Sequence, residues 1–304
     1  GSSRERQRPG MTASFQASFG DSPELSIGDR EFATLAKIVH DESGIVLADA
    51  KRGLVVSRLT RRLRDLGLRN FAQYCRMVQS EDGADERAKL ISALTTNVTK
   101  FFREDHHFRS LEKQIYPGLI ERARGRGRVR VWSAGCSTGE EPYSLAMELL
   151  ELCPDAAALD IRILATDIDP HVLATARAGR YSDSAMAGVP AGRRARYFSG
   201  SAGTYEATPA LKDLITFAPL NLVGHWPIRG AFDVIFCRNV VIYFDSATQE
   251  KLWQRFASLI PPGGHLFIGH SERLGRAAER YFATTGITQY RRTEVAVAAS
   301  VADP

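Results

Sequence analysis

Residues 131–144, with the sequence VWSAGCSTGEEPYS, constrain the fold more than any other stretch of this chain. An apolar run meets a loop of small residues, and a helix-starting pattern follows with Glu140, Glu141 and Pro142 in its first turn. A strand, a glycine loop and a helix in this order open the ligand pocket of doubly wound α/β domains. The stretch therefore predicts an α/β domain built on a mostly parallel sheet.

The two carboxylates at the start of this predicted helix argue against a phosphate ligand. Phosphate groups bind the free backbone N–H groups at a helix N-terminus, and Glu140 and Glu141 would repel them. Their charge suits a cationic ligand that carries an ammonium or a sulfonium group. S-adenosylmethionine carries both groups, so the sequence predicts a site for S-adenosylmethionine rather than for a dinucleotide.

A further carboxylate, Asp167, follows the predicted strand 161–166. In doubly wound folds, an acidic residue at the tip of the second strand holds ribose hydroxyls. The alternative is that Asp167 caps the next helix, but Asp169 stands directly before Pro170 and is better placed for that role. We therefore expect Asp169 to cap the helix and Asp167 to be free for a ligand.

The alternation of apolar and helix-forming segments predicts one α/β domain over 113–294. Its regular elements are predicted at 128–133, 161–166, 231–237, 264–269 and near 287–292 for strands, and at 140–152, 170–178 and 246–259 for helices. The alternation stops after Gly179, and we interpret residues 180–218, including the apolar run 214–217, as an inserted β subdomain.

The remaining chain is predicted to be helical or irregular. Residues 25–95 show helical apolar stripes and predict an all-α N-terminal domain. Residues 96–112 are interpreted as a linker that leads into a helix from about 104 to 123. Residues 1–24 are expected to be a disordered, tag-derived tail, and residues 295–304 a flexible one.

Composition narrows the functional classes. The net charge is +5, which favours a nucleic acid, an anionic lipid or an acidic protein as a partner without choosing among them, and no apolar run approaches the ~20 residues of a membrane span. The four cysteines form no CxxC pair, so neither structural zinc nor a disulfide framework is expected, and a reducing cytoplasm fits best. The adjacent His106 and His107 are predicted to point about 100° apart on a helix, too far apart to share a metal.

A run of basic residues lies in the N-terminal domain with no acid between positions 51 and 64. Solvated helix faces usually mix both signs of charge, so a face of one sign predicts contact with an acidic partner. The residues assigned to this contact are Lys51, Arg58, Arg61 and Arg62.

Two polar clusters have both a structural and a functional interpretation. Arg238 and Asn239 end a predicted buried strand, and Tyr243 follows shortly after, so all three should face the crevice opened by the glycine loop. The structural alternative is that Arg238 pairs with an acid while Asn239 ends the strand. In the linker, the residues alone favour the structural interpretation, a connection with a capping Thr and the two core aromatics Phe101 and Phe102.

The motifs together resemble one known family, the CheR-type chemotaxis receptor glutamate methyltransferases. The matching stretches are TNVTKFFRE at 96–104, WSAGCSTGEEPYS at 132–144, ATDID at 165–169, NL at 221–222, FCRNVVIYF at 236–244 and GHSE at 269–272. The resemblance implies a helical receptor-binding domain, a linker, and a Rossmann-like S-adenosylmethionine domain with an inserted β subdomain.

The resemblance also implies roles for individual residues. Arg103 and Tyr243 are expected to orient the substrate carboxylate, Glu141 to meet the methionine ammonium, and Asp167 the ribose. The full expected set around S-adenosylmethionine, or its product S-adenosylhomocysteine, is Asn97, Thr99, Arg103, Gly135, Glu141, Asp167, Asn221, Leu222, Arg238 and Asn239. No metal ligand is implied.

The resemblance further implies a cytoplasmic monomer that is recruited to membrane-bound receptor arrays and methylates acidic helical bundles of chemoreceptors. One departure concerns the stretch 197–217, which lacks an extended glycine cluster, so docking of a receptor's C-terminal pentapeptide is not expected. Two rivals remain, a nucleic-acid methyltransferase and a non-catalytic S-adenosylmethionine-binding scaffold. The first often carries an Asp/Asn-Pro-Pro-aromatic motif where this chain has CRNV at 237–240.

Overall fold

The computed structural model describes residues 25–200 and 203–297, so the predicted tail 1–24 and most of the tail 295–304 lie outside the described residues. The α-helices are α1 Asp29–Ser43, α2 Arg52–Asp65, α3 Phe71–Gln79, α4 Ala84–Leu94, α5 His106–Ser110, α6 Tyr116–Arg124, α7 Glu140–Leu152, α8 Pro170–Ala178, α9 Asp183–Met186, α10 Ala191–Tyr197, α11 Pro209–Lys212, α12 Ser246–Leu259 and α13 Arg276–Glu279. The strands are β1 Val129–Ala134, β2 Ile161–Asp167, β3 Arg180–Ser182, β4 Phe198–Ser199, β5 Thr204–Ala207, β6 Ile215–Pro219, β7 Val234–Cys237, β8 His265–Ile268, β9 Phe282–Gly286 and β10 Gln289–Arg292.

The N-terminal domain is a bundle of α1 to α4 around one apolar core. Helix α1 ends at Ser43 because Gly44 adopts a left-handed conformation with φ +73°. Helix α2 buries its apolar stripe of Val55, Leu59 and Leu63 completely against the other helices. None of the helices among the described residues is long and apolar enough to cross a membrane.

The basic surface predicted on α2 is partly neutralised within the domain. Arg62 forms a two-pronged ion pair with the buried Glu86 of α4, which also accepts a hydrogen bond from the Tyr74 hydroxyl at 3.0 Å. Arg58 donates to the backbone carbonyls of Ala93 and Thr95. The expectation of an unneutralised basic face is therefore wrong for Arg62, whose acid lies 24 residues away in the sequence.

Arg62→Ala is expected to destabilise the protein by about 2 kcal/mol, because the buried Glu86 carboxylate would lose its charged partner and keep only Tyr74. Urea unfolding followed by circular dichroism measures this loss. Arg61→Ala is the matched control on the same helix, and since the Arg61 side chain is 92% exposed, its change should stay within about 0.5 kcal/mol. Equal stability of the two variants would contradict a structural role for Arg62.

The main sheet has seven strands in the order β6-β2-β1-β7-β8-β10-β9. Strand β10 is antiparallel to β8 and β9, and the other pairs are parallel. The chain runs outward from β1 to β2 and β6, then crosses to β7 on the other side of β1. The carboxyl ends of β1 and β7 therefore form a topological switch point, where doubly wound folds bind their ligands.

Helices α7, α8 and α12 match their predicted bounds, whereas several strands do not. Residues 214–217 were assigned to the insertion, but Ile215–Pro219 is a strand of the main sheet that pairs in parallel with β2. The inserted subdomain is consequently smaller than predicted and consists of the three-stranded sheet β3-β5-β4 with short helices around it. The final strand predicted near 287–292 corresponds to β10, and the sequence reasoning missed β9, which pairs with it in an antiparallel hairpin.

The N-terminal domain packs against the carboxyl end of the main sheet. Ile45 forms an isolated antiparallel bridge with Phe244, and the Val46 N–H donates to the Tyr243 carbonyl at 2.8 Å. The His40 imidazole lies 2.8 Å from the Asp245 carboxylate at the start of α12. The segment after α1 is thus fixed beside the loop that follows β7.

Candidate active site

One cleft between the two domains contains all of the residues predicted to bind a cofactor or to act in catalysis. It lies at the switch point between β1 and β7 and is closed by the linker. The predicted residues that line it are Asn97, Thr99, Arg103, Gly135, Glu141, Asp167, Asn221, Leu222, Arg238, Asn239 and Tyr243. Of the predicted partner-binding residues, Lys51 also lines this cleft, whereas Arg58, Arg61 and Arg62 are not part of it.

The glycine loop after β1 approaches the loop after β7 closely. Gly135 has φ +80°, and a Cβ at this position would lie 2.4 Å from a methyl carbon of Val240. Only glycine fits both the left-handed backbone and the space. The close approach of Gly135 to Val240 brings the two ligand-facing loops together at the switch point.

Asp167 occupies the predicted place at the end of β2. Its two carboxylate oxygens accept the backbone N–H groups of Ser137 at 2.8 Å and Asp169 at 3.0 Å. Burial raises the pKa of the Asp167 carboxyl, although these hydrogen bonds act in the opposite direction. A carboxylate has about four acceptor positions, so Asp167 keeps capacity for hydroxyl donors in the cleft. The helix cap is Asp169, as predicted, since its side chain accepts the His171 N–H at 2.9 Å.

Only one of the two carboxylates at the start of α7 faces the cleft. The Glu141 carboxylate accepts hydrogen bonds from the Ser133 hydroxyl at 2.7 Å and from the Arg238 Nε at 2.9 Å. Glu140 turns away and accepts the Thr138 hydroxyl at 2.6 Å, and burial raises the pKa of its carboxyl. Of the two carboxylates predicted to face a cationic ligand, the structure therefore places only Glu141 in the cleft.

Arg238 is the buried centre of a polar network rather than an open ligand contact. Its Nη1 donates to the Arg103 backbone carbonyl at 2.6 Å and to His107 Nδ1 at 2.9 Å, while its Nε meets Glu141. The structural alternative, an ion pair with an acid, is therefore also realised. Through these bonds Arg238 fixes both the linker at Arg103 and the carboxylate of Glu141.

The Arg103 guanidinium has no acidic partner among the described residues and donates to the Val98 carbonyl at 3.0 Å. Its neighbours Phe102 and Glu104 have positive φ values of 52° and 57°, which non-glycine residues rarely adopt. This strained turn is held by the Arg238 contact and presents a cation at the cleft. An anionic group is the ligand that such an unpaired guanidinium fits best.

Tyr243 lies at the same opening of the cleft. The Lys51 ammonium lies 5.2 Å from the centre of the Tyr243 ring, and no hydrogen bond of the Tyr243 hydroxyl is found among the described residues. Arg103, Lys51 and Tyr243 thus offer two positive charges and a free hydroxyl donor at the cleft.

The three asparagines predicted to bind the cofactor differ in the hydrogen bonds that their side chains make. Asn97 donates to the Asp169 carboxylate at 3.2 Å and Asn221 to the Glu42 carbonyl, so both connect parts of the cleft wall. Asn239 has φ +60° and makes no side-chain hydrogen bond among the described residues. Thr99 and Leu222 line the cleft, the latter as a buried apolar side chain.

Sequence reasoning missed the contribution of the N-terminal domain to this cleft. Ser43, Ile45 and Leu47 line it from the segment after α1. Every second residue along 43–47 lines the cleft, as in an extended chain. The short apolar run after Gly44 was the one sequence signal that could have indicated this contribution.

The adjacent His106 and His107 also differ from prediction. Their ring centroids are 4.2 Å apart, and potential ligand atoms of both residues and of Glu104 lie within 4.8 Å of one another. However, His107 Nδ1 faces Arg238 and its Nε2 lies 3.0 Å from the Ile287 carbonyl. Burial and the Arg238 charge lower the pKa of His107 to about 3. This histidine is therefore a neutral part of the network and offers no free nitrogen to a metal.

Two family models match the chain in its two parts. The model described as the CheR methyltransferase all-alpha domain matches residues 30–95, and that of the CheR methyltransferase SAM binding domain matches residues 97–291. Together they span the bundle, the linker and the domain that contains the switch-point cleft.

Full-length relatives agree with this assignment. A probable chemotaxis protein methyltransferase of Rhizobium etli is 51% identical over 84% of this chain and 97% of its own length. A chemotaxis protein methyltransferase of Escherichia coli is 42% identical over 88% of this chain and 92% of the relative. Chemotaxis protein methyltransferase 2 of Pseudomonas aeruginosa is 41% identical over 86% and 92%, respectively.

Proposed function

This chain belongs to the CheR methyltransferase family, and from that premise we propose that it transfers a methyl group from S-adenosylmethionine to glutamate side chains of chemotaxis receptors. Membership makes it an S-adenosylmethionine-dependent methyltransferase of chemotaxis proteins. The glutamate target and the residue roles below are the parts that we propose. The observation that carries them is the unpaired Arg103 guanidinium, which lies in the same cleft as Asp167 and Glu141.

The hydrogen-bond donors and acceptors that line the cleft match those of S-adenosylmethionine. Asp167 keeps acceptor capacity for ribose hydroxyls, and the buried Glu141 offers a carboxylate to the methionine ammonium. The Asn239 amide makes no side-chain hydrogen bond within the described part of the chain and is available to the polar edge of the ligand. When bound, S-adenosylmethionine supplies an electrophilic methyl group on a sulfonium.

The residues at the mouth suit a carboxylate substrate. Arg103 would hold one glutamate oxygen or both, and the Tyr243 hydroxyl would donate a hydrogen bond to the same group. A glutamate side chain has a pKa near 4.3 and is already ionised at neutral pH, so the reaction needs no general base. The enzyme must instead aim the carboxylate and remove its water, which Arg103, Tyr243 and the apolar walls Ile45 and Leu47 accomplish.

Acceptor specificity tests this proposal against its rivals. Labelled S-adenosylmethionine is incubated with the protein and with membranes that contain receptors, membranes without receptors, or duplex DNA. Label that appears only with receptors and is released by mild base, as methyl esters are, supports the proposal. Base-stable label in DNA would indicate the nucleic-acid rival, and binding without transfer to any acceptor would indicate a scaffold.

For receptor docking we propose the exposed part of α2 rather than all four basic residues named from the sequence. Arg58 and Arg62 are engaged inside the N-terminal domain, and Lys51 lines the cleft. Arg61 is almost fully exposed, and its one ion pair within residues 25–200 and 203–297 is a 4.0 Å contact with Asp65. Arg64 is exposed on the same side of the helix. These two cations are free to meet an acidic receptor bundle.

Reversing Arg61 and Arg64 to Glu is expected to lower the rate of receptor methylation by about tenfold or more in low salt, because exposed charges steer association. The S-adenosylhomocysteine affinity, measured by calorimetry, should stay unchanged. The wild-type rate should itself fall as the Debye length shrinks from about 10 Å at 0.1 M salt to about 3 Å at 1 M.

The matched control reverses Arg229 and Arg276, two exposed arginines of the other domain, and so makes the same change in net charge. This control should retain nearly the wild-type rate. Equal losses in both double variants would mean that net charge, not the α2 surface, determines recognition. We further propose that removal of a receptor's C-terminal pentapeptide matters little, and that the enzyme acts as a monomer in the cytoplasm at receptor arrays.

A further inference from the structure

Glu272 is a buried carboxylate with an unusual set of partners. It lies in the turn after β8, is 2% exposed, and forms no ion pair among the described residues. One of its oxygens accepts the backbone N–H groups of Val240 and Val241, each at 2.9 Å. The other accepts those of Asn239 at 3.0 Å and Gly269 at 2.5 Å. Four backbone donors therefore converge on a single side chain.

Three of these donors belong to the loop that carries the proposed functional residues after β7. Asn239 adopts φ +60°, a left-handed conformation that turns the following amides toward the same point. Backbone N–H groups buried in such a turn cost free energy unless an acceptor satisfies them. Glu272 supplies that acceptor from a separate element 31 to 33 residues further along the chain.

The turn that carries Glu272 is packed directly against this loop. A Cβ on Gly269 would lie 2.6 Å from the Asn239 side-chain nitrogen and 2.8 Å from its backbone nitrogen. The same Cβ would lie 2.9 Å from Glu272 Oε2. The absence of a side chain at Gly269 therefore allows Glu272 to reach the amides of the loop.

We propose that Glu272 is a positioning residue of the methyltransferase, which holds the 239–244 loop in the conformation that brings Asn239 and Tyr243 to the cleft. Glu272 does not line the cleft itself, so it acts through the loop and not on the ligand. The kinetic part of this proposal rests on the proposed function, whereas the loop geometry does not.

Glu272→Gln is the sharpest substitution because it keeps the size of the side chain. In either orientation the Gln –NH₂ group would replace an oxygen that accepts two backbone N–H groups, so two hydrogen bonds are lost. The –NH₂ group is itself a donor and would face these two N–H donors without an acceptor between them. Hydrogen exchange of the 238–244 backbone should become at least about tenfold faster. Glu148→Gln is the control, since Glu148 is also buried but pairs with Arg193 away from the cleft. It should leave exchange in 238–244 unchanged.

Turnover tests whether the loop acts on the reaction. At saturating S-adenosylmethionine, Glu272→Gln should lower kcat by about tenfold or more, and the Glu148→Gln control by less than about twofold. If Glu272 acts through Tyr243, its effect should shrink in a Tyr243→Phe background, so that the double variant loses much less than the product of the two single losses. A loss of stability alone would not produce this non-additivity.

Two outcomes would overturn the proposal. The first is unchanged exchange in 238–244 for Glu272→Gln, which would mean that the carboxylate does not hold the loop. The second is faster exchange with either a wild-type kcat or a lowered kcat whose loss multiplies fully with that of Tyr243→Phe, which would mean that the loop does not act on the reaction through Tyr243. If the wild-type protein methylated no receptor, the proposed function would fail instead, and hydrogen exchange in 238–244 would still decide whether Glu272 holds the loop.

Discussion

Arg103→Ala is expected to lower kcat/KM for receptor methylation by about 30- to 1,000-fold, because removing charge-assisted hydrogen bonds from a carboxylate costs about 2–4 kcal/mol. The guanidinium has no acidic partner among the described residues, so its loss leaves no buried acid uncompensated and the fold should persist. Initial rates at several receptor concentrations, with thermal unfolding in parallel, measure both effects.

Two further variants separate the role of Arg103 from general effects of charge. Arg103→Lys keeps the positive charge but loses the planar fork, so it should recover only part of the activity. Arg109→Ala removes an exposed arginine six residues further along, which pairs with Asp105, and it should be nearly silent. A wild-type rate for Arg103→Ala would remove this residue from the mechanism.

Asp167→Ala is expected to weaken S-adenosylhomocysteine binding by about tenfold or more, since a hydrogen bond to a charged group contributes about 1.5–3 kcal/mol. The substitution also removes the acceptor of the Ser137 and Asp169 N–H groups, which adds to the loss. Isothermal calorimetry measures the affinity directly.

Asp160→Ala is the control for Asp167, because Asp160 precedes the same strand at its opposite end and pairs with Arg130 on the surface. Its S-adenosylhomocysteine affinity should equal that of the wild-type protein. Unchanged affinity in Asp167→Ala would show that this carboxylate does not hold the ligand, whatever its position in the fold.

Local sequence signals were sufficient to predict the bounds of single helices. The helix over 140–152 begins at Glu140, directly after Gly139, and has both glutamates in its first turn. The helix over 170–178 begins at Pro170 behind the Asp169 cap and ends before Gly179. Because these start and stop signals lie within a few residues of the helix ends, the bounds could be predicted from the sequence.

Contacts between residues far apart in the sequence could not be predicted from such local signals. Ile215–Pro219 is a short strand whose place is determined by parallel pairing with β2, more than 40 residues away. The ion pair of Arg62 with Glu86 and the four donors on Glu272 likewise join separate elements. The motifs placed Arg238 in the cleft, but only the fold brings its guanidinium to the Arg103 carbonyl and to His107.

The identity of the methylated atom tests the central claim most directly. A purified receptor cytoplasmic bundle is incubated with this protein and S-adenosylmethionine, digested, and analysed by mass spectrometry before and after mild base. The predicted result is a gain of one methyl group on particular glutamates, which mild base removes and which is absent after incubation with the Arg103→Ala variant. Methylation on another residue type, or a base-stable product that survives Arg103→Ala, would contradict glutamate ester formation in this cleft.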